Sequence, residues 1–246
     1  EEVNNPIGFL KESIDKLIKE GNDLSKDICG VMLETFQGWG ALYYPKEYVK
    51  ELEIICKKNN ILLAFDEMQS GFSRTGYNFG YEYYGVKPDL IACGKGMGGG
   101  MVISGVIGKG EIMDLPEVGN MSSTHSANPI SCAAALGVLE EIEDLNLTSL
   151  TKSKGKLLHK VLRKLKESYP NIITNIHGEG LIAAIHLNKK HKNIGTLISE
   201  KCFQKGLLVV HTGRESIKIG PPLTIDEEAI IEGISVIEES ILEILK

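Results

Sequence analysis

Short apolar runs that alternate with stretches of helical periodicity constrain the fold of this chain more than any other feature. Asn5-Pro6 reads as a helix cap followed by proline at the first helical position. Ile7, Leu10, Ile14, Leu17 and Ile18 then recur at helical spacing and predict a helix over residues 6–20. Ile28–Leu33 reads as a buried strand, Pro45 opens a helix carrying Val49, Leu52, Ile55 and Cys56 on one side, and Ile61–Phe65 is a second strand. Further strands are expected at 89–93 and 102–107, with a glycine-rich turn between them. Strands separated by helices pair mostly as parallel neighbours, so an α/β fold with a mostly parallel sheet follows. Ligands of such sheets sit beyond the carboxyl ends of the strands.

The pattern changes after Asn128-Pro129, which starts a helix through Cys132, Leu136, Leu139 and Ile142. A polar helix at 148–168 follows, then a strand pair around Gly178 (172–176 and 181–187), a helix at 194–205, a strand at 207–211 and a final helix from Asp226. A domain boundary is placed near residue 145. Residues 1–145 are read as part of a large domain and 146–246 as a smaller α+β domain.

With 246 residues, 42% of them hydrophobic and 24% charged, the chain can bury a large core. A net charge of −6 with scattered Lys and Arg argues against nucleic acid or an anionic membrane surface as a partner. The five cysteines, Cys29, Cys56, Cys93, Cys132 and Cys202, are widely spaced and form no Cys-x-x-Cys pair. Neither a disulfide framework nor a zinc site is supported, the dispersed histidines add no metal site, and a reducing, cytoplasmic location is expected. Glu1-Glu2-Val3-Asn4-Asn5-Pro6 carries no targeting signal, and no apolar run approaches the ~18 residues of a membrane span. The chain does not begin with Met, which raises the expectation of residues upstream.

Chemistry concentrates at two places. Lys95 lies in Ala92-Cys93-Gly94-Lys95-Gly96-Met97-Gly98-Gly99-Gly100, and the strand Ile61–Phe65 ends on Asp66. An amine on a glycine-rich turn can be a Schiff-base lysine, with the glycines letting a cofactor approach closely; a Gly-Lys-Gly read alone is more often a solvated loop lysine. A Walker phosphate loop is excluded, because Gly96 stands where Ser or Thr is required. Asp66 can be a turn residue or helix cap. It can also be the partner of a pyridinium nitrogen: at about 4 Å and an effective dielectric near 20 that pairing is worth roughly 4 kcal/mol, or about three pKa units before desolvation. A ring nitrogen kept protonated makes pyridoxal phosphate an electron sink.

The surrounding words resemble the class III aminotransferases in order and spacing: Phe65-Asp66-Glu67-Met68-Gln69-Ser70-Gly71-Phe72-Ser73-Arg74-Thr75-Gly76, then Gly85-Val86-Lys87-Pro88-Asp89, Gly94-Lys95-Gly96 and Thr124-His125-Ser126-Ala127-Asn128-Pro129. The resemblance is strong over 28–144 and looser beyond, through Gly178-Glu179-Gly180-Leu181, Lys205-Gly206-Leu207-Leu208 and Gly220-Pro221-Pro222-Leu223-Thr224-Ile225. It implies the aspartate-aminotransferase-like, fold type I architecture of pyridoxal phosphate enzymes, with residues 1–145 as part of the cofactor-binding domain. By resemblance, Lys95 is the cofactor lysine, Asp66 the partner of the pyridine nitrogen, Gln69 reaches the phenolic oxygen and Met68 packs on one ring face. Taken alone, Met68 would be a core residue and Gln69 a polar loop residue. Thr124 would bind the cofactor phosphate of a neighbouring subunit, which implies a homodimer with shared sites; capping a helix near Asn128 is compatible with that. Arg74, Asp89 and Asn128 are read as structural, and His125 as a packed neighbour.

Two departures qualify the resemblance. Relatives carry a Gly/Ser-rich phosphate cradle and a stacking aromatic residue ahead of the segment matched here. The chain is therefore expected to be a fragment, a truncated gene product or half of a split enzyme, and to bind the cofactor weakly or not at all by itself. Many ω-amino acid members also have an acid where Trp39 stands, and an Arg for the substrate carboxylate where Lys218 stands. Lys is a point charge and Arg a fork, so that exchange is not neutral; Arg214 is close enough in sequence to substitute, and Trp39 would shape an apolar or flat-faced pocket. The leading expectation is a pyridoxal phosphate-dependent aminotransferase acting on a small amino donor and a keto or aldehyde acceptor. A racemase or epimerase of the same family, or a non-catalytic truncated relative, are the alternatives.

Overall fold

The computed structural model describes residues 5–245, so the reading of residues 1–4 as free of a targeting signal lies outside the described residues. The chain folds as two compact units. One holds the residues up to 35 together with 44–72 and 79–140; the other holds 36–43, 73–78 and the residues from 141 onward.

In the first unit, α1 (Pro6–Lys19) begins where Asn5 Oδ1 accepts the Gly8 N–H at 2.9 Å, the cap that Asn5-Pro6 predicts. After α2 (Leu24–Asp27) come β1 (Gly30–Glu34), α3 (Lys46–Lys58), β4 (Leu62–Asp66), β5 (Leu90–Cys93), β6 (Gly105–Gly108), α4 (Gly110–Met113) and α5 (Pro129–Asp144); β2 (Phe36–Gln37) and β3 (Leu42–Tyr43) belong to the other unit. The sheet order is β1-β4-β5-β6. β1, β4 and β5 run parallel, with Glu34 opposite Asp66 and Asp66 opposite Ala92, and β6 returns antiparallel to β5. Strand 102–107 of the sequence reading starts only at Gly105, because β5 ends at Cys93 and offers residue 105 as its last pairing position.

α3 packs on β4 and α1 on α3. Val49, Leu52 and Cys56 of α3 and Leu63 and Phe65 of β4 are buried, each large apolar side chain contributing about 2 kcal/mol. Asp89 ties the β5 end of the sheet: Oδ2 accepts the Leu63 N–H at 2.8 Å and Oδ1 the Lys109 ammonium at 2.5 Å. The Tyr84 hydroxyl, buried, donates to Thr35 O and accepts from Tyr44 N.

The second unit contains the hairpin β2 (Phe36–Gln37) and β3 (Leu42–Tyr43), then α6 (Leu147–Ser168), β7 (Ile173–Glu179), β8 (Ile182–Leu187), α7 (Ile194–Gln204), β9 (Val210–His211), β10 (Ser216–Ile219) and α8 (Glu227–Ile244). Its antiparallel sheet has the order β7-β8-β10-β9. Ile182–Ile185 of β8 read as a continuous apolar run because both faces of the strand are covered there. Ala183, Ile185 and Leu187 join Leu158, Leu162, Ile198, Ile217 and Ile237 in the main core, whereas Ile182 and Ala184 pack with Phe36 and Ala41. The strand expected at 207–211 is confined to Val210–His211, the only stretch with a partner in β10, and β10 itself is too short to announce itself by alternation. Among the described residues, no helix is long and apolar enough to cross a membrane, and no group of His, Cys, Asp and Glu could hold a metal ion.

Candidate active site

Asp66 is the last residue of β4, and its carboxylate accepts the Met68 N–H at 2.9 Å, which turns the chain sharply at the strand end. Opposite it in β5 is Ala92, whose carbonyl accepts the Glu67 N–H at 2.8 Å. Lys95 follows three residues later as the first residue of the 3-10 turn Lys95–Gly98, exposed, with φ of 47°. A non-glycine residue in the left-handed region is uncommon and costs roughly 1 kcal/mol or more, and such outliers gather at functional sites. Asp66 and Lys95 thus stand at and just beyond the carboxyl ends of adjacent parallel strands.

Met68 lies against the same turn. A Cβ at position 94 would sit 2.8 Å from Met68 Sδ and 3.3 Å from the Ile103 carbonyl oxygen, so a larger residue there would displace the Met68 side chain. Gln69 is half-buried in the following turn. Thr124 is in an exposed turn segment whose hydrogen bonds are internal, Ser122 Oγ to Gly119 O and Ser126 N to Ser123 O. Asp66, Met68, Gln69 and Lys95 thus place a carboxylate, a thioether, an amide and an amine at and just beyond the ends of two adjacent strands, a donor set that suits a pyridine aldehyde. The residues present fit the cofactor.

Glu67 was not singled out in the sequence, and it is the most heavily bonded side chain here. Fully buried, its carboxylate accepts from Thr35 Oγ1 at 2.5 Å, Ser70 Oγ at 2.6 Å and the Gly80 and Tyr81 N–H groups at 2.7 Å each. These bonds brace the turn that carries Met68 and Gln69. The signal was an acid directly after Asp66: successive strand residues face opposite ways, so one of the two carboxylates had to point inward and find donors.

The substrate candidates come together within the second unit. The Lys218 ammonium donates to Gly38 O at 3.0 Å, and the Arg214 guanidinium lies 4.9 Å from the centre of the Trp39 ring, close enough for a cation–π contact. Trp39 also meets His186 edge-on at 5.4 Å and donates to Gln37 Oε1 at 3.2 Å. His186 Nε2 is 2.9 Å from Gly40 O. The half-buried Trp39, His186 and the two cations therefore form one cluster, and His186, unremarked in the sequence, completes it. Arg74 anchors a loop by donating to Leu181 O and Pro221 O, and Asn128 Oδ1 accepts the Ile130 N–H at the start of α5.

The family model described as aminotransferase class-III matches residues 2–241. The chain is 36% identical to the leucine/methionine racemase of Thermococcus litoralis, covering 92% of this chain and 52% of the relative. It is 34% identical to the acetylornithine aminotransferase of Synechocystis sp. (96% and 54%) and 36% identical to the 5-aminovalerate aminotransferase of Pseudomonas putida (94% and 56%). Among solved structures, the acetylornithine aminotransferase of Elizabethkingia anophelis superposes with a TM-score of 0.85 at 31% identity, over 94% of this chain and 57% of that one. The ornithine aminotransferase of Plasmodium yoelii gives 0.82 at 30% identity, over 92% and 60%. The chain spans about half the length of the curated relatives it matches. A match that runs from residue 2 to residue 241, with the strand-end acid and the glycine-turn lysine inside it, means that this chain belongs to the class III aminotransferase family.

Proposed function

We propose that the chain is the carboxyl-terminal part of a pyridoxal phosphate-dependent aminotransferase that moves an amino group from a small amino donor to a keto or aldehyde acceptor. The observation that carries this reading is the register of β4 on β5, with Asp66 closing one strand and Lys95 opening the turn just past its neighbour. Pyridoxal phosphate, when bound, supplies an aldehyde for the amine and an electron sink for charge developing at the substrate's α-carbon. In this reading Asp66 holds a proton on the ring nitrogen, and Lys95 Nζ engages the aldehyde and moves the proton at the α-carbon. Met68 orients the ring by contact with its face, Gln69 bonds the phenolic oxygen, and Thr124 serves the phosphate of a partner subunit in a homodimer. Trp39, Arg214 and Lys218 are assigned to the substrate, the two cations to a carboxylate and the indole to an apolar surface. Residues 1–145 are assigned as part of the cofactor-binding domain, apart from 36–43 and 73–78, which fold with the second unit, and 146–246 as the small domain, and the protein works in the cytoplasm.

Borohydride reduction after incubation with excess pyridoxal phosphate, followed by peptide mass mapping, tests the assignment. Label concentrated on Lys95 and lost in Asp66→Ala is the expected result; label spread over surface lysines would sink it. Racemisation is the second reading, favoured by the racemase among the relatives. Incubating an L-amino acid with the protein separates the two: amino transfer needs an added keto acid, whereas racemisation proceeds without one.

A further inference from the structure

We propose that the second unit carries a binding site for a small phosphate monoester, in the cleft between α6 and the β7–β8 turn. The cleft has a volume of about 360 Å³, within the size range of small-molecule sites. Lys152, Lys156, His159 and Arg163 line one wall. Their spacing of four, three and four residues places them in a single stripe along α6, while Leu158, Leu162 and Leu165 turn to the core. Among the described residues the ion pairs lie elsewhere, and none uses the three cations Lys152, Lys156 and Arg163; Lys152 instead covers the Tyr77 ring at 4.5 Å.

The opposite wall is built from Thr75 and the Gly178–Gly180 backbone. Two buried polar atoms at the cleft have no protein partner: the Thr75 hydroxyl, on a residue only 2% exposed, and His159 Nε2. A buried hydroxyl without a partner costs free energy that a bound acceptor returns. Three fixed cations and a hydroxyl suit a phosphoryl group carrying two negative charges, because charge-assisted bonds are the strong ones. The Glu179 carboxylate also lines the cleft and repels a bare anion. With His159 Nε2, which accepts or donates according to the ring's tautomer, it suits hydroxyl groups on the organic part of an ester, which favours an ester over free phosphate. The aminotransferase reading gives this cleft no task, and the proposal does not depend on that reading.

Isothermal titration of the chain with glycerol 3-phosphate and, separately, with inorganic phosphate and with glycerol tests it. Saturable binding of the ester with a dissociation constant on the order of 1 mM or tighter, and weaker binding of the other two, is expected. Lys156→Ala and Arg163→Ala should each weaken it about tenfold, the loss of one charge-assisted bond. Thr75→Val, which keeps the volume, should weaken it several-fold, and Lys160→Ala, on the same helix outside the cleft, should leave it unchanged. Circular dichroism melts confirm that each variant folds. Absent binding of the ester, tighter binding of inorganic phosphate, or an affinity indifferent to both Lys156→Ala and Arg163→Ala would overturn the proposal.

Discussion

Glu67 Oε2 accepts the backbone N–H of Gly80 at 2.7 Å, and a Cβ at position 80 would come within 2.7 Å of Ser70 Cβ and 2.8 Å of Thr35 Cγ2. The carboxylate and the glycine are matched, the one needing a donor at close range and the other leaving space for it. Glu67→Ala strands two backbone N–H groups and two hydroxyls in a dry site. We expect a loss of about 3 kcal/mol or more in urea unfolding, with Glu67→Gln intermediate because it keeps one acceptor oxygen. A loss under about 1 kcal/mol for the alanine variant would mean that the donors find other partners.

Asp89 predicts an acid-sensitive contribution to stability. Burial pushes its pKa upward, but the Leu63 N–H and the Lys109 ammonium outweigh that and hold it below the ordinary Asp value. A group with a depressed folded pKa stabilises fully above its unfolded value, about 3.9, and loses that contribution as pH falls through the lower folded value. Wild type should therefore exceed Asp89→Asn in stability at pH 7, and the gap should close in unfolding curves taken well below pH 3.9. A gap that does not change with pH would contradict this.

Gly155 inverts the usual helix rule. Alanine in place of glycine inside a helix normally adds roughly 1 kcal/mol. Here a Cβ would meet Gly180 O at 2.6 Å and Gly180 Cα at 2.7 Å, backbone that cannot rotate away. Gly155→Ala should lower the melting temperature, with a net cost of about 1–3 kcal/mol from overpacking. Stabilisation would show that the β7–β8 turn yields to the helix.

Arg74 and Leu181 bond reciprocally: Arg74 Nη1 donates to Leu181 O at 3.0 Å and Leu181 N donates to Arg74 O at 3.1 Å. The guanidinium also reaches Pro221 O, and burial lowers its pKa from the ordinary value. Both guanidinium bonds leave the one Nη1, held in place by the rigid guanidinium plane, which a shorter, freely rotating lysine ammonium does not reproduce, so Arg74→Lys should cost about 1 kcal/mol or more and speed amide exchange at Leu181. Unchanged exchange there would place the anchoring elsewhere.

Elements with long local periodicity were legible in the sequence. The helix starting at Asn5-Pro6, the helix over 148–168 and the final helix at Asp226 appear within a residue or two of expectation, since capping and the 3.6-residue repeat are local. β2, β3 and β10 were not, and the strand at 207–211 was overdrawn. Strands of two to four residues exist only where a partner from elsewhere in the chain supplies hydrogen bonds, as His211 and Val210 find in Ile217 and Lys218.

By itself the sequence determined that Asp66 would close an apolar strand and that Lys95 would begin a glycine turn, because both follow from runs of fewer than ten residues. Only the tertiary structure decided that Glu67 would draw donors from positions 35, 70, 80 and 81, that Trp39 would meet Arg214 and His186, and that the cations of α6 would face Thr75. Those meetings require distant segments to return to one place. What returns them is the burial of apolar faces such as Ile182–Ala184 against Phe36–Ala41, which no local pattern encodes.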